Sequence, residues 1–249
     1  MLEKIYNFHE ALKQLSIMVD LLPDDKTVWI QRGLVYQEMG NHELAINDFE
    51  VAIELDPQCS IAMFYMAKSK LAAGYIDQSI QDFERSEAIT PTPAIQDGLG
   101  CCYHSQGDYD KAISSFTTAI SAEPRNIEFL KNRSSCYYDM KDYPQSIEDL
   151  SSALEINPRD PQVLYKQGLS YFSFKRYKKC IAMMKQALQN KPYLTYEADI
   201  FYHLGLAYCR LEKFEKSIFP YTRCIEKMPS DLRYIHERAK AYQMIEYHQ

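Results

Sequence analysis

A chain of 249 residues, 46% hydrophobic and 25% charged, is long enough to bury a sizeable core, and its 8 Gly and 11 Pro exclude collagen-like or linker-dominated architectures. Its 28 basic residues against 34 acidic ones give a net charge of −6. That balance argues against nucleic acid or an anionic membrane as the main partner, because phosphate binding rests on clustered Lys and Arg. No apolar run approaches the roughly 20 residues of a membrane-spanning helix. The opening Met1-Leu2-Glu3-Lys4-Ile5-Tyr6 lacks the basic-then-apolar order of a secretory signal, so a cytoplasmic location is expected.

In chain order, Tyr6-Asn7-Phe8-His9-Glu10-Ala11 reads as a turn and the start of a helix that stops before Pro23. Pro57, Pro91, Pro124, Pro158, Pro192 and Pro229 then follow at spacings of 34, 34, 33, 34, 34 and 37 residues. Apolar residues recur at helical intervals between these prolines and are interrupted by short turns such as Gln106-Gly107-Asp108-Tyr109. The pattern predicts first helices near 27–39, 60–73, 94–106, 127–140, 161–174 and 197–211. Second helices are predicted near 43–55, 77–89, 110–122, 144–156, 178–190 and 214–227. A last helix spans 231–247, with Ile235, Ala239, Tyr242 and Ile245 on one face. Pro220 should kink the last second helix, and Pro91-Thr92-Pro93 with Gly98 and Gly100 marks the expected hinge.

Other residues keep the same phase. Gly33, Gly100, Gly168 and Gly205 share one slot, Tyr36, Tyr103, Tyr137, Tyr171 and Tyr208 another, and Phe49, Phe83 and Phe116 a third. The unit with Trp29, Gly33, Tyr36, Ala45, Phe49, Ala52 and Pro57 resembles a tetratricopeptide repeat, and the likeness extends in phase over essentially the whole chain. The resemblance implies an all-α fold, a right-handed α-solenoid superhelix of antiparallel helix pairs. Six repeats are expected at 26–59, 60–92, 93–126, 127–160, 161–194 and 198–231. Residues 1–25 would be the second helix of a partial repeat, and 232–249 a capping helix or the start of another repeat. The half-repeat start also suits a segment of a longer array, or one completed by a partner's helix.

Motifs for chemistry are incomplete. His9-Glu10, His42-Glu43 and His236-Glu237 each lack the second His of a zinc helix, and Gly98-Leu99-Gly100 runs into Cys101-Cys102 instead of completing a dinucleotide loop. The seven cysteines show no Cys-x-x-Cys spacing. Cys102 and Cys136 precede the packing Tyr, while Cys180 and Cys224 stand in an Ala slot, which reads as core. No catalytic residue, cofactor or metal ligand is expected, and the chain is read as a non-enzyme.

By resemblance, partners lie along the concave row of the first helices. That row supplies the candidate binding residues Ile30, Leu34, Phe64, Tyr65, Lys68, Lys131, Asn132, Tyr165, Lys166, Leu169, Phe172, Tyr202 and His203. Asn132 with Lys166 comes nearest to a chaperone-type carboxylate site, but Asp97 and Cys101 stand where Lys and Asn would be required, and the Asn ladder of the glycosyltransferase-associated arrays is missing. An apolar, tyrosine-rich groove remains, suited to an amphipathic helix or an extended peptide segment of a partner protein. The rings could equally pack between neighbouring first helices. The expected function is a scaffold or adaptor that gathers proteins into a complex, with no small-molecule substrate. The alternatives are a structural component of a large cytoskeletal or ciliary assembly, and a regulatory segment of a longer protein.

Overall fold

The computed structural model describes residues 2–190 and 196–247, with side chains described from Asn7 onward. Pro192 and Thr195 of the expected spacing lie outside the described residues. Every regular element among the described residues is an α-helix. The first seven are α1 (Leu2–Leu21), α2 (Lys26–Glu38), α3 (His42–Leu55), α4 (Ser60–Ala73), α5 (Ile76–Ile89), α6 (Pro93–Gln106) and α7 (Tyr109–Ala122). Then come α8 (Ile127–Asp139), α9 (Tyr143–Ile156), α10 (Pro161–Ser173), α11 (Tyr177–Gln189), α12 (Glu197–Arg210), α13 (Phe214–Lys227) and α14 (Leu232–Tyr247).

Local chemistry sets many of these limits. Asp25, Asp108, Asp142 and Asp160 cap α2, α7, α9 and α10 by accepting hydrogen bonds from first-turn amides, and Pro93 and Pro161 open α6 and α10 where a missing N–H costs nothing. Helix α3 stops at Leu55, two residues before Pro57, whose ring disfavours helical backbone in the residue preceding it. Each two-helix turn contains one residue in the left-handed region. It is Gly40, Gly74 or Gly107 in the first three turns and Lys141, Lys175 or Glu212 in the last three, with φ between 57° and 90°.

The helices gather into two compact units, residues 1–124 and 125–249. In the first, consecutive helices from α2 to α7 pack side by side around Phe49, Phe83 and Phe116, all sealed from solvent. In the second, α8 to α14 do the same around Leu150, Met184 and Tyr221. Small residues let these side chains in. A Cβ on Gly33 would sit 2.7 Å from the Phe49 ring, and one on Gly205 would sit 2.6 Å from Tyr221. Close approach of neighbouring helices is therefore built into the sequence slots, as nearest-neighbour stacking requires.

One local expectation needs correction: the turn read at Tyr6-Asn7-Phe8 lies inside α1, which is continuous from Leu2 to Leu21. Helix α6 is unbroken from Pro93 through Gly98 and Gly100: Thr92 caps it, and Phe83 and Phe116 lie 2.4 and 2.6 Å from where a Cβ on those glycines would stand. Helix α13 is assigned continuously from Phe214 to Lys227 with Pro220 buried inside it.

Candidate interaction surface

In the first unit, α2 and α4 bring five expected residues together. Ile30 and Leu34 lie half-buried beside Tyr65, over a core of Ala45, Ile46, Phe49 and Met66. Phe64 meets Tyr65 edge to face at 5.1 Å and Phe83 at 5.8 Å, while Tyr65 stacks on Phe49 at 6.1 Å. The exposed ammonium of Lys68 lies 5.6 Å from the Phe64 ring centre and 5.9 Å from that of Tyr65. Gln37 of α2 fixes α4 by donating to Ser69 Oγ at 3.1 Å. The result is a half-exposed aromatic patch on rigid helices with one cation above it.

In the second unit the rings turn toward their neighbours. Tyr165 stacks on Tyr196 at 5.5 Å, Phe172 meets His203 edge to face at 5.8 Å, and Tyr202 lies between His203 and Tyr234 at 5.5 and 5.4 Å. Burial raises the Tyr165 and Tyr202 hydroxyls above their ordinary pKa. Burial also lowers His203, against the opposing pull of the Asp199 carbonyl, whose oxygen lies 2.9 Å from Nδ1. A neutral imidazole is the form that this packing favours. These rings join α10, α12 and α14 and form less of an open groove than the sequence suggests.

The lysines of this unit are held differently from Lys68. Lys131 is buried, and its ammonium donates to both Glu128 oxygens at 2.8 and 2.9 Å and to Gln162 Oε1 at 2.6 Å. Lys166 donates to Ser135 Oγ at 2.8 Å, and burial, with the nearby charge of Lys131, lowers its pKa. Lys166 and Leu169 line a cavity of about 240 Å³ together with Ser134, Tyr138, Ser146 and Ser170. Asn132 is half-buried on α8. The serines are what sequence reasoning missed: Ser146 and Ser170, bonded to each other at 2.9 Å, occupy slots that hold small residues, polar or apolar, in most units.

Sequence profiles of the tetratricopeptide repeat match residues 27–59, 103–169 and 161–193. The chain is a tetratricopeptide repeat protein. The CTR9 homolog of Arabidopsis thaliana is 23% identical to it over 130 residues, which is 51% of this chain and 12% of that protein. Human tetratricopeptide repeat protein 12 is 28% identical over 85 residues, again 12% of its own length. The stretches matched therefore span about an eighth of these relatives.

Solved tetratricopeptide structures share the fold. A chain of the APC/C hetero-tetramer Cut9–Hcn1 superposes with a TM-score of 0.75 at 18% identity, covering 93% of this chain and 46% of its own. Pseudomonas aeruginosa pilF gives 0.72 at 18% identity over 86% of this chain and 97% of its own. YrrB, a tetratricopeptide protein with an unusual peptide-binding site, gives 0.54 at 14% identity over 72% of this chain and 93% of its own. At these identities the likeness establishes the all-α tetratricopeptide array, a fold that generally serves as a scaffold for protein interaction.

No helix among the described residues is long and apolar enough to cross a membrane. All seven cysteines are free thiols, and Cys102, Cys136, Cys180 and Cys224 are sealed within the two units.

Proposed function

We propose that this tetratricopeptide protein is a non-enzymatic scaffold that holds a helical or extended segment of a partner protein on the exposed row of its first helices. The observation that carries this reading is the patch of Phe64, Tyr65 and Lys68. Two rings and a cation lie at the surface of a helix whose opposite face is fully packed, and such partly exposed aromatics dominate interface energies. Ile30 and Leu34 extend the patch on α2. In the second unit Tyr165, Leu169, Phe172, Tyr202 and His203 contribute their remaining exposed edges, with Asn132 and Lys166 beside them as polar contacts, while Lys131 stays buried against Glu128 and Gln162. Membership in a larger assembly is supported by the likeness to a chain from the Cut9–Hcn1 tetramer.

The test is affinity recovery of partners with wild-type protein and with Tyr65→Ser combined with Lys68→Glu, each compared by helical circular dichroism. The reading expects an unchanged helical signal and loss of the recovered partner. Undiminished recovery by the variant contradicts it.

A further inference from the structure

The strongest charge feature lies away from the aromatic patch, on the turn edge of the second unit. Lys175, Arg176, Tyr177, Lys178 and Lys179 run from the α10–α11 turn into α11, and with Leu211 of the α12–α13 turn they line a groove of about 240 Å³. All four cations are exposed, and none forms an ion pair among the described residues. Arg210 precedes Leu211, and Lys213 follows it after Glu212; both cations are exposed. The adjacent carboxylates Glu212 and Glu215 are exposed and pair with none of these cations.

Two helix starts on this edge carry a cation at the capping position. Helices α7 and α9 begin at Asp108 and Asp142, whose carboxylates cap the first turn. The same place before α11 and α13 holds Arg176 and Lys213, with no side-chain cap. A cation at a helix N-terminus also opposes the helix dipole. The guanidinium of Arg176 covers the exposed Phe174 ring at 5.3 Å, so an apolar contact adjoins the charges.

We infer that this groove binds an Asp- and Glu-rich segment of a partner polypeptide, with an apolar residue of that segment on Phe174 or Leu211. Nucleic acid fits less well. The one ring lining the groove, Tyr177, is packed edge to face on Phe172 at 5.5 Å and offers no open stacking platform. The whole chain's 28 basic residues against 34 acidic ones also disfavour an extended polyanion.

The experiment is fluorescence anisotropy of a short labelled Asp/Glu peptide titrated with the full chain, alongside single-stranded RNA and phosphatidylserine vesicles. Wild-type protein should bind the peptide in preference to either, with affinity falling as salt rises. Lys178→Glu with Lys179→Glu should weaken binding about tenfold or more. Arg176→Asp, which restores the missing cap, should weaken binding similarly while raising the melting temperature, and this separates lost binding from lost folding. The aromatic-patch variant Tyr65→Ser should bind the peptide as wild type does. Absence of peptide binding, equal binding by the charge-reversed variants, or tighter binding of RNA or vesicles overturns the inference.

Discussion

Arg133 grips the buried carboxylate of Asp149 at two points, Nε to Oδ2 at 2.9 Å and Nη2 to Oδ1 at 2.7 Å, joining α8 to α9. Arg32 holds Asp48 in the same way between α2 and α3, at 2.8 and 2.6 Å. Removing one partner leaves a charge with little access to water. Asp149→Ala should therefore cost about 2–4 kcal/mol, whereas Arg133→Met with Asp149→Leu should cost much less. Chemical denaturation of the three proteins measures both. Equal losses in the single and double variants would contradict this account of the pair.

The slot glycines predict a contrast. At Gly100 a Cβ would meet the Phe116 ring at 2.6 Å, and at Gly168 it would meet the flexible Met184 side chain, its terminal methyl at 2.8 Å and its sulfur at 3.2 Å. The ring is wedged in the core, but the methionine end can swing aside. Gly100→Ala should lose about 1–2 kcal/mol as overpacking exceeds the gain in helix propensity. Gly168→Ala should be neutral or stabilising, and thermal melts of the two variants check this.

What the sequence revealed and what it hid both follow from spacing. Gly33 and Phe49 recur at fixed offsets because a large side chain must pass over a small residue each time two helices pair, and that constraint is visible without coordinates. Cys180 and Cys224 read correctly as core for the same reason. The aromatic row was legible as a set of residues but not in its orientation: Tyr165 finds Tyr196, which precedes α12 and falls outside any helical pattern. The serine-lined cavity stayed hidden because Ser146 and Ser170 stand in small-residue slots, 24 positions apart, where nothing local marks them as a pair.

The left-handed turn residues give a third test. Glu212 has φ 57°, where the first three turns carry Gly. Glu212→Gly should stabilise the protein by about 0.5–1 kcal/mol, since the backbone strain of an L side chain is removed. Ala at the same position should give no such gain.

His203 makes stability depend on pH. Its folded pKa lies below 6.5, so on acidification through 6.5 the unfolded chain takes up a proton that the folded chain resists. The stability from a neutral His203 is therefore complete above pH 6.5 and declines below it. His203→Gln should flatten that part of the stability profile, as measured by melting temperature across mildly acidic buffers.

Burial should also protect the thiols. Burial alone pushes Cys180 up to about 12, and it is the main cause of the same rise at Cys224. Both side chains are sealed. A thiol reagent at neutral pH should leave them unmodified in the native protein and label all seven cysteines after denaturation. Fast native labelling of Cys180 would show that the second unit opens readily.

The scaffold reading is tested most directly by placing a photo-crosslinking amino acid at Tyr65 or Lys68 on α4 and, in parallel, at Thr117 on α7 or Lys185 on α11, all in otherwise native protein. Crosslinked partner segments should be recovered from the α4 positions and identified by mass spectrometry, with little from α7 or α11. Recovery from α7 and α11 alone would place the partner on the second helices and contradict the account.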